Sequence, residues 1–251
     1  MSKLTEKLRR VASGESSRIG FGVSTSEKKQ GPLLLLVAIR PSDIGLIDET
    51  VSGIVDGVLL YPSDERRETS LPPMSQKNSN LPYGLWTKSP AEAKRFHEAG
   101  GDFVVFPAAG TPLPLLSMGQ LARVLEVDRQ LSDIALRTVE TTSVDAVLLD
   151  GRLPDGVAAD VQWLLETQRV GLLTRKPIIL SIDRKPDSEQ LAALAETSVL
   201  AVVVSLGSPA DVERLSNYHQ AIAALPPRGR QGTPKRVPIL PLQEMQRLGG
   251  H

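Results

Sequence analysis

The chain has no cysteine and only three histidines. Without cysteine there is no disulfide, no thiolate nucleophile and no zinc-thiolate site. His97 and His219 fall in segments read as outer helices, and His251 is the last residue. Neither a catalytic triad nor a facial metal triad therefore finds a well-placed imidazole. Aromatic residues make up 4% of the sequence, without a basic aromatic platform for stacking single-stranded nucleic acid. Lys plus Arg and Asp plus Glu both number 29, which removes any global electrostatic pull toward nucleic acid or an anionic membrane. A Walker A loop and a GxGxxG after a strand are also missing, so the commonest nucleotide-binding loops are excluded. The longest apolar run, LLLLVAI from Leu33, is far short of the ~20 residues that cross a bilayer. The amino terminus starts with charged, helical-looking sequence rather than an apolar signal stretch, and the expected location is the cytoplasm.

What is present is a repeat. SDIGLIDETVSGIVDGVLL, Ser42 to Leu60, returns as SDIALRTVETTSVDAVLL, Ser132 to Leu149, with about half of the aligned positions identical after one gap. Eight short runs rich in Val, Leu and Ile read as parallel strands alternating with helices or loops. They are Leu33 to Ile39, Val55 to Tyr61, Tyr83 to Trp86, Asp102 to Phe106, Leu121 to Val127, Val144 to Leu149, Pro177 to Ile182 and Val199 to Leu206. The second copy lies four strands after the first. This predicts an α/β fold, a (β/α)8 TIM-type barrel made by half-barrel duplication, with an open doubly wound parallel sheet as the alternative. SPAE at Ser89 and SPAD at Ser208 each offer a serine N-cap, proline at the first helical position and an acid three residues after the cap.

The two halves differ. After strand two, PSDERRETSLPPMSQKNSN has no helical periodicity, whereas ADVQWLLETQRV follows strand six. PAAGTPLPLLSMGQ after strand four is too short and proline-rich for a full helix. One or two outer helices are thus expected to be eroded. The exposed strands then require cover from the amino-terminal extension, residues 1–30, or from another subunit. Within that extension Leu4, Leu8 and Val11 lie at helical spacing, as for a short helix closing the barrel floor or a basic amphipathic surface helix. The barrel proper is expected over residues 31–225. Residues 226–251 form a basic Pro/Gly-rich tail with an apolar cluster from Val237 to Leu242.

Chemistry in such a barrel belongs at the carboxyl ends of the strands. Alternation places Ala122, Val124, Glu126 and Asp128 inward on strand five, and Ala146, Leu148 and Asp150 inward on strand six. It places Ser181 and Asp183 inward on strand seven, and Val199, Ala201, Val203, Ser205 and Gly207 inward on strand eight. Four carboxylates thus approach one mouth. A charged Glu126 inside an apolar strand must find a partner, take up a proton or bind a cation. Three arrangements fit: Mg²⁺ on Glu126, Asp150 and Asp183; a metal-free acid/base pair; or ion pairs with Arg129, Arg152 and Arg184.

Further residues complete the candidate site. Asp128 is an acid/base candidate, and Lys88, just after strand three, is a Schiff-base nucleophile or anion contact. Arg40 and Arg129, related by the repeat, are placed to hold a carboxylate or phosphate. Gly207 and Ser208 open the last helix, where backbone N–H groups bind phosphate in many barrels. Tyr61 and Trp86 make an aromatic wall at the strand ends. The functional expectation is an enzyme acting on a small anionic metabolite, a lyase or isomerase assisted by Mg²⁺. The alternative is a non-catalytic barrel serving as a binding or assembly subunit, and a homo-oligomer or a partner subunit is expected on either view.

Overall fold

The structure, a computed structural model, describes residues 2–14, 31–61, 80–154, 157–182 and 187–228. Eight parallel strands pair in chain order and close on themselves: β1 (Leu34–Ile39), β2 (Gly57–Leu60), β3 (Tyr83–Trp86), β4 (Phe103–Pro107), β5 (Ala122–Val127), β6 (Ala146–Asp150), β7 (Ile178–Ser181) and β8 (Val199–Ser205). Closure runs through the β1–β8 ladder, from Leu34 opposite Ala201 to Ala38 opposite Ser205. The protein is a TIM barrel, and the open sheet is excluded because no strand is left as an edge.

Each strand is a short run of Val, Leu and Ile because both of its faces are covered. Leu33, Leu35, Val37 and Ile39 point outward into the layer shared with the helices. Leu34 and Leu36 point inward among Leu59, Trp86, Phe103, Val105, Val124 and Leu148. Gly84 makes room for that interior: a Cβ there would lie 2.0 Å from the Phe103 ring. On β8 the predicted inward set fails at its first residue. Val199 packs outward and Leu200 turns in, because a bulge lets Ile178 and Ile179 oppose Val199 and Ala201. From Ala201 onward the predicted alternation holds.

Helix α1 (Lys3–Ser13) closes the barrel floor. Its Leu4, Leu8 and Val11 join the inner cluster, each at most 4% exposed. Asp102, at the foot of β4, accepts hydrogen bonds from Lys3 N at 2.7 Å, Leu4 N at 2.9 Å and Ser2 Oγ at 2.6 Å. A carboxylate thereby satisfies the free N–H groups at the helix start and opposes its positive end. The described part of the extension is therefore a plug under the strands rather than a cover over their outer faces. Residues 15–30 and the tail cluster Val237 to Leu242 lie outside the described residues.

The repeat has a physical meaning at its shared aspartate. Asp56 Oδ2 accepts from Leu35 N at 3.0 Å, and Asp145 Oδ2 accepts from Arg123 N at 2.8 Å. In both copies the acid ties the start of one strand to the strand before it. The helices of the two copies diverge. Ser132 N-caps α4 (Asp133–Thr141), whereas the matching Ser42 lies in a 3-10 turn, Pro41–Leu46. Gly45 in place of Ala135 weakens the first helix, and Asp48 caps a separate short α2 (Glu49–Ile54) instead.

After β3, α3 (Pro90–Glu98) begins as expected, with Ser89 accepting from Glu92 N at 3.3 Å. After β4 there is only a 3-10 turn, Leu113–Ser117, in agreement with the proline-rich sequence. The segment after β2, residues 62–79, lies outside the described residues. The remaining helices are α5 (Val161–Thr174), α6 (Ser188–Ala195) and α7 (Asp211–Ala224). Among the described residues no helix is long and apolar enough to cross a membrane.

Two substitutions test this packing. Leu8→Ala should cost about 2–5 kcal/mol in urea denaturation, because it empties part of the floor beneath a closed interior. Gly84→Ala should cost about 1–3 kcal/mol by overpacking against Phe103, again read from the urea midpoint.

Candidate active site at the barrel mouth

Glu126 follows Ala122 and Val124 on the inward face of β5, two residues nearer the mouth. Tyr61 stands one residue beyond β2, and Trp86 is the last residue of β3. Closure brings these three strand ends together. Trp86 Nε1 donates to Glu126 Oε2 at 2.8 Å, and the Tyr61 hydroxyl donates to Oε1 at 3.2 Å. The two rings lie 5.3 Å apart, tilted by 33°. Lys88 Nζ sits 5.5 Å from the centre of the Trp86 ring, within range of a cation–π contact. The acid that the sequence places within an apolar strand is half-buried and has its partners, and they are aromatic donors rather than arginines. Each carboxylate oxygen receives one donor, which fixes the orientation of the group at the mouth.

The other acids have partners of their own. Asp150, the last residue of β6, takes Arg152 Nε on Oδ1 at 2.9 Å and Nη2 on Oδ2 at 2.8 Å. Hydrogen bonds from the Arg152 side chain hold the Asp150 carboxyl below the usual carboxylate range, against the opposing effect of burial. Asp128 is exposed and accepts from Gln130 N at 2.8 Å, a local turn bond. Asp183 and Arg184 lie outside the described residues. Among the described residues no three acids or histidines gather as a metal site.

The expected anion contacts are also engaged. Arg40 Nε lies 2.7 Å from Asp43 Oδ2. Arg129 Nη2 donates to Arg152 O at 3.4 Å, and its Nη1 is 4.0 Å from Glu166 Oε2. Gly207 N, Ser208 N and Ser208 Oγ all donate to Asp211 Oδ2, at 3.0, 3.0 and 3.1 Å. Ser208 therefore does not cap the helix as predicted. α7 starts at Asp211, and that residue's own carboxylate fills the cradle proposed for phosphate. Burial opposes ionisation of Asp211, but the Gly207 N–H, the Arg214 charge and the Ser208 donors outweigh it and hold its carboxyl below the usual range.

Asp211 is the residue that sequence reading missed in this role. The signal is the acid three residues beyond Ser208, in the position of a capping-box partner. The bonds joining Tyr61 and Trp86 to Glu126 span 65 and 40 residues, so no local pattern displays them.

A scan against family models finds no match, and no curated protein matches by sequence. Solved structures do match in fold. A chain of tryptophan synthase from M. tuberculosis, in an open form with BRD0059 bound, superposes with a TM-score of 0.59 at 13% identity, over 89% of this chain and 98% of that one. The aminoacrylate-bound form of the same enzyme gives 0.58 at 14% identity, over 89% and 99%. A mutant tryptophan synthase alpha-subunit (E244A) from the hyperthermophile Pyrococcus furiosus gives 0.56 at 12% identity, over 76% of this chain and 97% of that one. At these identities the likeness is one of fold, and it places this chain among TIM barrels.

Proposed function

We propose that the protein is a barrel enzyme acting on a small anionic metabolite, as a lyase or isomerase, with Glu126 as the proton-transferring group. The observation that carries this reading is the Glu126 carboxylate held at the mouth by Trp86 Nε1 and the Tyr61 hydroxyl. Here two strand-end aromatics orient it where substrates of this fold class react. The solved barrels of the same fold that belong to enzymes support the enzyme class.

In the proposed step Glu126 removes a proton from the carbon beside the substrate's carboxylate, leaving an enolate. Delivery of a proton to the opposite face of that same carbon gives the epimer, and departure of a leaving group with its electron pair from the next carbon gives the unsaturated lyase product. Tyr61 is the second proton carrier, and Lys88 beside Trp86 supplies positive charge for the anion. Phosphate recognition at Gly207 and Ser208 forms no part of this mechanism, since Asp211 fills that cradle. The same feature favours a second reading, a non-catalytic assembly barrel, because an internal acid has replaced a substrate contact.

Deuterium exchange from D2O into a panel of 2-hydroxy and 2-oxo dicarboxylates and sugar acids, followed by proton NMR, separates the two. Wild type should exchange at least one panel member, and Glu126→Gln should slow that exchange by about 10²-fold or more with unchanged melting. No exchange by wild type, or full exchange by the variant, would rule out the catalytic role.

Mg²⁺ on Glu126, Asp150 and Asp183 is a distinct form of the proposal, and the described residues fit it poorly because Arg152 occupies both Asp150 oxygens. Calorimetric titration with Mg²⁺ and Mn²⁺ should accordingly show no binding at millimolar concentration. Binding that disappears in Glu126→Gln would establish the metal instead.

A further inference from the structure

Helix α5 carries two different faces. Trp163, Thr167, Val170, Gly171 and Thr174 are buried against the barrel. The contact is close: a Cβ on Gly171 would lie 2.4 Å from Ser198 Cβ. Trp163 Nε1 is anchored to Gly151 O at 3.0 Å, and Gln168 Oε1 accepts from Ser198 N at 2.9 Å. The inner side is therefore complete. On the outer side Val161, Leu165 and Leu172 are 72%, 59% and 63% exposed. At 100° per residue they fall within a stripe about 40° wide.

Five of the seven exposed large apolar side chains among the described residues lie in this one region, Ile134 (79%) and Val157 (47%) being the other two. Ile134 is carried beside the stripe by α4, which is fastened to α5 through Arg169 Nε and Asp133 Oδ1 at 2.7 Å. Together these side chains expose on the order of 500 Å² of apolar surface, near the upper end for a monomer and enough for the core of an interface burying ~800 Å² per partner.

We propose that α5 is a self-association surface, on which two copies of this chain pack antiparallel about a two-fold axis. The exposed stripe Val161, Leu165, Leu172 runs at spacings of 4 and 7, which keep one seam of paired helices, while Gln168 between them reaches back to Ser198 N. A two-fold axis between residues 166 and 167 sets Val161 on Leu172 of the mate and Leu172 on its Val161, with the two copies of Leu165 flanking the axis. No stripe residue is charged, and a formal net charge of zero lets two copies approach without net repulsion.

The absence of cysteine makes the test clean. Sedimentation velocity on the full chain should show a dimer at micromolar concentration. The double variant Leu165→Glu, Leu172→Glu should be monomeric with an unchanged melting temperature, since both positions are exposed. Under mild oxidation Leu165→Cys should form a dimer disulfide, its mate being displaced by only ~4.5 Å along the axis, whereas Leu172→Cys, displaced by ~16 Å, should not. A monomeric wild type, a double variant that stays dimeric, or crosslinking at both positions or neither would overturn the proposal. So would dimerisation that begins only when residues 229–251 are removed, because the chain's own carboxyl-terminal segment would then be the occupant.

Discussion

A closed sheet must fill its own interior, and the rest of this structure depends on how that is done. Eight short strands turn one face inward, leaving no edge to pair and no water to solvate what faces the axis. The middle is filled by Leu34, Leu36, Phe103, Val105, Val124 and Leu148, and the floor by Leu4, Leu8 and Val11 of α1. Phe103 enters only because Gly84 lacks a side chain. With the floor sealed, polar groups on inward positions can meet water and ligands only at the carboxyl ends of the strands. That is where Glu126 and Asp150 stand.

At that end every described acid is matched locally, yet by donors of different character. Asp150 and Asp211 are held by charged or backbone donors that lower their proton affinity, and such acids are poor candidates for exchanging a proton near neutral pH. Glu126 is held by an indole N–H and a phenol, uncharged donors that orient the carboxylate. The division of roles follows from this chemistry. Asp150 and Asp211 belong to the architecture of the loops, and Glu126 is the acid on which the proposed proton transfer rests.

The outer shell shows the same economy. α5 is locked to the barrel by Trp163, Gln168 and the close approach of Gly171 to Ser198, and its opposite face stays exposed among the described residues. Apolar residues there are costly in water, and their confinement to one stripe directs attention to a partner of matching shape.

Much of the fold was legible because it is written in local periodicity. Runs of Val, Leu and Ile mark strands buried on both faces, Leu4, Leu8 and Val11 mark one face of a helix, and the repeated aspartates Asp56 and Asp145 perform one task in both halves. Inward positions on β5 and β6 followed from alternation alone. The turn at Ser42 also has a local cause in Gly45 and the competing Asp48 cap. Two things were decided only by tertiary structure. The bulge at Leu200 depends on how β7 meets β8, which no single strand records. The partners of Glu126 come from residues 40 and 65 positions away, because closing the barrel sets the ends of β2, β3 and β5 around one mouth. Sequence by itself determined that an acid would face inward on β5; only closure determined that two aromatic side chains would hold it.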